Sequence, residues 1–146
     1  MIINNLTIPE CLTRAIQDGK WPNRVTHGKL LEYFFDEVML YGLEQMKSET
    51  AVLTACCTEG TEVYSPYYLG IASGPDVRNP KKRHLPGTID MSKAVVIGDW
   101  GIDAPICLDY HDSIVSPSVV ALRGFGAGWE RVLANIDVLI SMLPGA

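Results

Sequence analysis

Apolar side chains recur along this chain in two rhythms, helical toward the amino end and extended toward the carboxyl end. Ile8, Cys11, Leu12, Ala15 and Ile16 fall on one face of a helix. Thr7 with Glu10 three residues on makes a capping box, Pro9 suits a first turn, and Asp18 with Gly19 is a stop, so a short helix is predicted over about 8–18. After the break at Trp21, Pro22 and Asn23, the residues Leu30, Leu31, Phe34, Phe35 and Val38 repeat at helical spacing. Glu32, Asp36 and Glu37 lie opposite. This predicts a second amphipathic helix over about 28–42, with its phenylalanines in the core. Near the carboxyl end Trp129, Val132, Leu133, Ile136, Leu139, Ile140 and Leu143 share one stripe that Pro144 and Gly145 close, which predicts a helix of about fifteen residues.

Between these lie extended runs. Residues 93–98 and 105–109 are short, Val- and Ile-rich segments joined by a turn containing Gly98, Asp99, Gly101 and Asp103, and they read as two strands. Both glycines suit positive φ, and the acids suit bonds to nearby backbone amides. Asp109 opens another turn, and Pro117 opens a third strand over 118–123, since proline is tolerated at a strand's first residue. The connections are too short for helical crossovers, so neighbouring strands are expected to be antiparallel. A final apolar stripe covering such a sheet gives an α+β architecture: one domain over 1–146, mainly antiparallel sheet with helices packed on one face.

The signal weakens between 44 and 72. Residues 51–57 fit either the end of a helix or a buried strand. Residues 62–64 and 67–72, rich in tyrosine and β-branched residues and split by Ser65 and Pro66, read as strands. Residues 73–92 are polar and contain Pro75, Pro80, Pro86 and the basic run Lys81, Lys82, Arg83 and His84, which reads as a long loop.

With 146 residues the chain can bury about 70% of its unfolded surface without a metal or disulfide. Hydrophobic residues make up 47% and charged residues 20%, a globular balance. A net charge of −5 argues against direct nucleic-acid binding, because four basic positions on one loop do not make a positive face. The start, MIINNLTIPE, has neither the basic region nor the apolar run of a signal or membrane segment, so no membrane association and a cytoplasmic location are expected. Cys11, Cys56, Cys57 and Cys107 lack metal-ligand spacing and read as free thiols. No cofactor is implied. The acids Asp99, Asp103, Asp109 and Asp112 lack the alternating pattern and closing glutamate of a calcium loop, and turn chemistry accounts for Asp99 and Asp109.

The segment 97–110, IGDWGIDAPICLDY, with Pro117 beyond it, resembles the core signature of the SUKH superfamily, which comprises bacterial immunity proteins and fungal Smi/Knr cell-wall regulators. In that signature an apolar strand ends in Ile-Gly-(Asp)-x-Gly, here Ile97, Gly98, Asp99 and Gly101. A second strand ends in Leu-Asp-(Tyr), here Leu108, Asp109 and Tyr110, and a proline precedes the third strand. The likeness covers about 93–143 and, more loosely, the first two predicted helices. The chain departs from it in the basic loop and in His111, where arginine is common.

The resemblance implies a non-enzymatic protein that binds a toxin domain, often a nuclease, and occludes it. An acidic binder would meet the positive cleft of a nuclease with complementary potential. Asp99, Asp103 and Asp112 are the expected charged contacts, and Trp100, Tyr110 and Tyr67 the expected aromatic anchors. Two other classes fit the same residues. One is a regulatory scaffold of the Smi/Knr kind, and the other a small metal-dependent hydrolase using the Asp cluster or a Cys–His pair. Oligomeric state is not legible.

Overall fold

The computed structural model describes residues 1–71, 87–124 and 127–145. The architecture is the expected α+β one. Among the described residues, six strands form an antiparallel meander in chain order: β3 (Arg24–Val25), β4 (Val38–Leu40), β5 (Ala94–Asp99), β6 (Pro105–Asp109), β7 (Ser118–Leu122) and β8 (Trp129–Leu133). Each pairs antiparallel with its sequence neighbour. The connections from β5 through β8 are short, as such pairing favours, whereas residues 41–93 separate β4 from β5. A separate hairpin at the amino end joins β1 (Ile2–Ile3) to β2 (Leu6–Thr7). Its two turn residues, Asn4 and Asn5, have φ of 57° and 61°, a conformation asparagine tolerates and that matches strand twist. The Asn4 amide also donates to the carbonyls of Met91 and Ala94, tying the hairpin to the start of β5.

Burial runs without alternation over Ala94–Ile97, Ile106–Leu108 and Val119–Leu122, so both faces of the sheet's centre are covered. The helix α3 (Leu43–Cys56) packs on β5, while α5 (Ile136–Ser141) packs on β7 and β8 and against α1 (Glu10–Gln17). The buried side chains make one cluster in which Leu12, Leu30, Phe34, Met46, Ile97, Leu108 and Leu139 are almost wholly excluded from water. At a bulge between Val96 and Gly98 the β5–β6 ladder slips. There the Val96 amide donates instead to the buried Thr50 hydroxyl of α3, at 2.9 Å. No described helix is long and apolar enough to cross a membrane.

Several local expectations are overturned. Thr7 caps no helix. It is held in β2 opposite Ile2, and α1 begins after Pro9 without a side-chain cap. The helix expected over 28–42 is one turn, α2 (Leu31–Phe34), because Phe35 adopts a left-handed φ of 64° and the chain then extends into β4. The apolar run 51–57 is the end of α3. The strands expected at 62–64 and 67–72 are absent as far as the described residues go. A turn leads instead into α4 (Pro66–Leu69), with proline at a helical first-turn position. The long carboxyl-terminal helix is in fact β8 followed by α5, separated at Asn135, whose side chain accepts the Val138 amide as a helix cap. Most of the loop expected over 73–92, with its basic run, lies outside the described residues. Its end, Met91–Lys93, is a 3-10 turn capped by Asp90.

Candidate partner-binding site

The connection between β5 and β6 is fixed at several points. Asp99 accepts the Gly101 amide at 3.2 Å through one carboxylate oxygen and the Tyr41 hydroxyl at 2.6 Å through the other. Tyr41 is positioned by its own amide, which donates to the Ile97 carbonyl. Farther along the loop, the Trp100 amide donates to the Ala104 carbonyl and the indole N–H to the Leu122 carbonyl at 3.1 Å. Asp103 holds a positive φ of 57°. Its backbone carbonyl accepts from Tyr67 at 2.8 Å, and its carboxylate accepts from Tyr68. These tyrosines stand edge to face at 5.1 Å on α4, whose indole neighbour Trp129 donates to the Tyr68 carbonyl.

Between this loop and α3 lies a cleft of about 320 Å³. Glu49, Asp99 and Asp103 give it three carboxyl groups, Tyr41 and Tyr68 give two phenols, and Val52 and Ile102 form apolar lips. Burial, reinforced by the bonded carboxylate of Asp99, raises the Tyr41 phenol far above its ordinary range, and burial with Asp103 does the same to Tyr68. Both phenols therefore remain hydrogen-bond donors at neutral pH and add no charge. Among the described residues, no three His, Cys, Asp or Glu side chains are grouped so that they could hold a metal ion.

The structure divides the six sequence-predicted contacts between the two ends of β6. Asp99, Trp100, Asp103 and Tyr67 gather at the β5–β6 loop. Tyr110 and Asp112 belong to the β6–β7 connection, a strand length of about 17 Å away. Asp103 and Asp112 are exposed. Tyr110 is not an anchor: it is 1% exposed, and its hydroxyl donates to the Thr7 carbonyl, so it fastens the amino-terminal hairpin to the sheet. Trp100 is half-buried, its indole bonded inward and its ring 5.3 Å from the Arg123 guanidinium, so it shapes the loop from within.

The sequence alone does not single out Tyr41, Glu49, Val52, Tyr68 or Ile102 as site residues. Ile102 carried a signal, an isoleucine in the middle of a Gly- and Asp-rich turn. Tyr41 and Glu49 carried none, since only the tertiary fold brings them to Asp99.

All four cysteines are free thiols. Cys57 is buried and its thiol is pushed up to about 12, mainly by burial. Cys107 is raised well above the ordinary range for the same reason. Neither is a ready nucleophile.

At the other end of β6, Asp109 accepts the His111 amide at 2.9 Å, the turn role expected of it. Burial raises its carboxyl above the usual range, and the charges of Asp112 and Asp90 add to this against the opposing help of the His111 amide and ring. A raised folded-state value means that the folded protein holds this proton more tightly than the unfolded chain does. The resulting stabilisation is complete below about pH 3.9 and is lost as pH rises through the folded value. Asp109→Asn keeps the acceptor oxygen and removes the buried charge. It should raise the melting temperature relative to wild type at pH 7, and this gain should vanish at pH 3.5. An equal difference at both pH values would contradict the burial argument.

Compared with known protein families, with curated proteins and with solved structures, the chain matches none.

Proposed function

We propose that this chain is a non-enzymatic immunity protein that neutralises a toxin domain by covering its active face, and that it docks through the β5–β6 loop. The observation that carries the reading is Ile102. It is 97% exposed, yet the loop that presents it is fixed on both sides by the bonds of Asp99, Trp100 and Asp103. A mobile loop can hide an apolar side chain, whereas a fixed one keeps it in water until a partner covers it. Covering an isoleucine is worth about 1.5–3 kcal/mol. Val52, 59% exposed, lies across the cleft, and Met39, 39% exposed, is the cross-strand partner of Asp99, so the apolar contact area extends beyond one residue.

Around this apolar centre stand Asp99, Asp103 and Glu49, on a chain of net charge −5. An apolar centre inside a negative rim suits a basic protein surface such as the phosphate-binding cleft of a nuclease. The likeness of 97–110 to the SUKH signature supports a toxin as the owner of that surface.

Immunity proteins are encoded beside the toxins they neutralise, so the test uses the product of the adjacent gene. Its expression should arrest growth, and co-expression of this chain should restore it through a one-to-one complex. Ile102→Lys should fold normally and weaken the complex by about a hundredfold, from the lost burial and the like charge brought against a basic surface. Absence of a complex, or full protection by Ile102→Lys, would overturn the proposal.

A further inference from the structure

We infer that the cleft between α3 and the β5–β6 loop is a socket for the guanidinium end of an arginine side chain. The inference rests on the protein-binding reading above and specifies the chemistry of the partner's contact. The cleft's charged groups are all of one sign: Glu49, Asp99 and Asp103 line it, and no described lysine, arginine or histidine does. The potential inside it is therefore negative, and its occupant is a cation.

Shape and hydration narrow the cation. A volume of about 320 Å³ is at the floor of the ~300–1,000 Å³ range of small-molecule clefts, which suits one long side chain rather than a folded ligand. A bare divalent ion needs six or more oxygens converging at ~2.0–2.6 Å. Here the acids are spread around the walls and form no metal-holding group among the described residues. Spread acceptors fit a broad planar cation with five donors better than a point charge. Asp99 accepts one bond on each oxygen from Tyr41 and Gly101, and each oxygen retains a further lone pair. The remaining walls include Val52, Leu53, Val96, Ile102 and the tyrosine rings. Such walls displace water from the part of a side chain that lies against them. Guanidinium gives up its hydration more readily than the ammonium of lysine and stacks on aromatic faces, so arginine is favoured over lysine.

The test uses a minimal probe on the intact chain, n-butylguanidinium, with n-butylurea as its neutral isostere. In amide-resolved NMR at low salt, butylguanidinium should move the resonances of 49–56 and 99–104 in a saturable way, with Kd of about 1–10 mM. Butylurea should not. Glu49→Gln removes a charge that holds no structural bond among the described residues, and should weaken binding by about threefold to fivefold. Non-saturable or dispersed shifts, equal shifts with butylurea, or unchanged binding by Glu49→Gln would overturn the socket. These readouts are independent of toxin neutralisation. If the socket fails while co-expression still restores growth, only the arginine assignment falls. If the probe binds while no complex forms with the neighbouring gene product, the immunity reading falls and the cation site stands.

Discussion

Replacing Gly98 with alanine is expected to lower stability by about 4 kcal/mol or more, an effect reserved for substitutions that break a core element. The reason is close approach. A methyl group built on Gly98 would sit 2.2 Å from the Met39 carbonyl oxygen and 3.4 Å from a Leu40 methyl. Backbone blocks it, so no side-chain rotation relieves the overlap. Gly98 pairs with Leu40, and Asp99 with Met39, so the methyl group would push β4 off β5. The edge strand β3 would go with it, since among the described residues it is paired only to β4. Tyr41 follows β4 directly, so its bond to Asp99 should loosen and the cleft should open. Urea unfolding and a melting temperature lowered by roughly 8–16 °C would show the loss. Stability within about 1 kcal/mol of wild type would mean that β4 shifts freely, contrary to the packing described.

That glycine was legible as special in the sequence, but for a different reason. The Gly-Asp-x-Gly pattern suggested positive φ at both glycines. Gly101 does adopt it, at 147°, with open space around its α-carbon, whereas Gly98 is needed because a neighbouring strand lies against it. The sequence pattern predicts β5, β6 and β7 nearly to the residue. Their Val- and Ile-rich runs are bounded by turn residues, and both features are local. The stripe from Trp129 to Leu143 misled because residues 129 and 133 are four apart on a helix and also even-numbered steps along a strand. Only the Asn135 cap marked the change of rhythm. The same locality limits the site. Asp99 and Asp109 showed their turn roles because their amide partners lie two residues away. Tyr41 lies 58 positions from Asp99, and no spacing rule connects them.

The adjacent phenylalanines test how far helical spacing can be trusted. Phe34→Ala is expected to cost about 3–5 kcal/mol, and Phe35→Ala under about 1 kcal/mol, although both belong to the same apparent stripe. Phe34 is wholly buried, and its ring stands 5.5 Å from the Arg123 guanidinium. Arg123 in turn donates to the Tyr33 carbonyl and pairs with Glu130 at 3.4 Å. Truncating Phe34 therefore leaves a cavity and also strips an aromatic face from a largely buried cation. Phe35 is 83% exposed, and its φ of 64° carries a strain of about 1–2 kcal/mol that a side chain with a β-carbon must bear. Alanine keeps that strain and loses an exposed ring 5.9 Å from the Arg123 guanidinium, which still has the Phe34 and Trp100 faces. Phe35→Gly should relieve part of it, leaving the protein as stable as wild type or slightly more so, once the greater freedom of glycine in the unfolded chain is set against the gain. Urea midpoints for the three variants decide the matter. Equal losses for Phe34→Ala and Phe35→Ala would favour a continuous buried helical face. The expected large difference would follow from a chain that turns left-handed at residue 35 so that Val38 can enter the sheet.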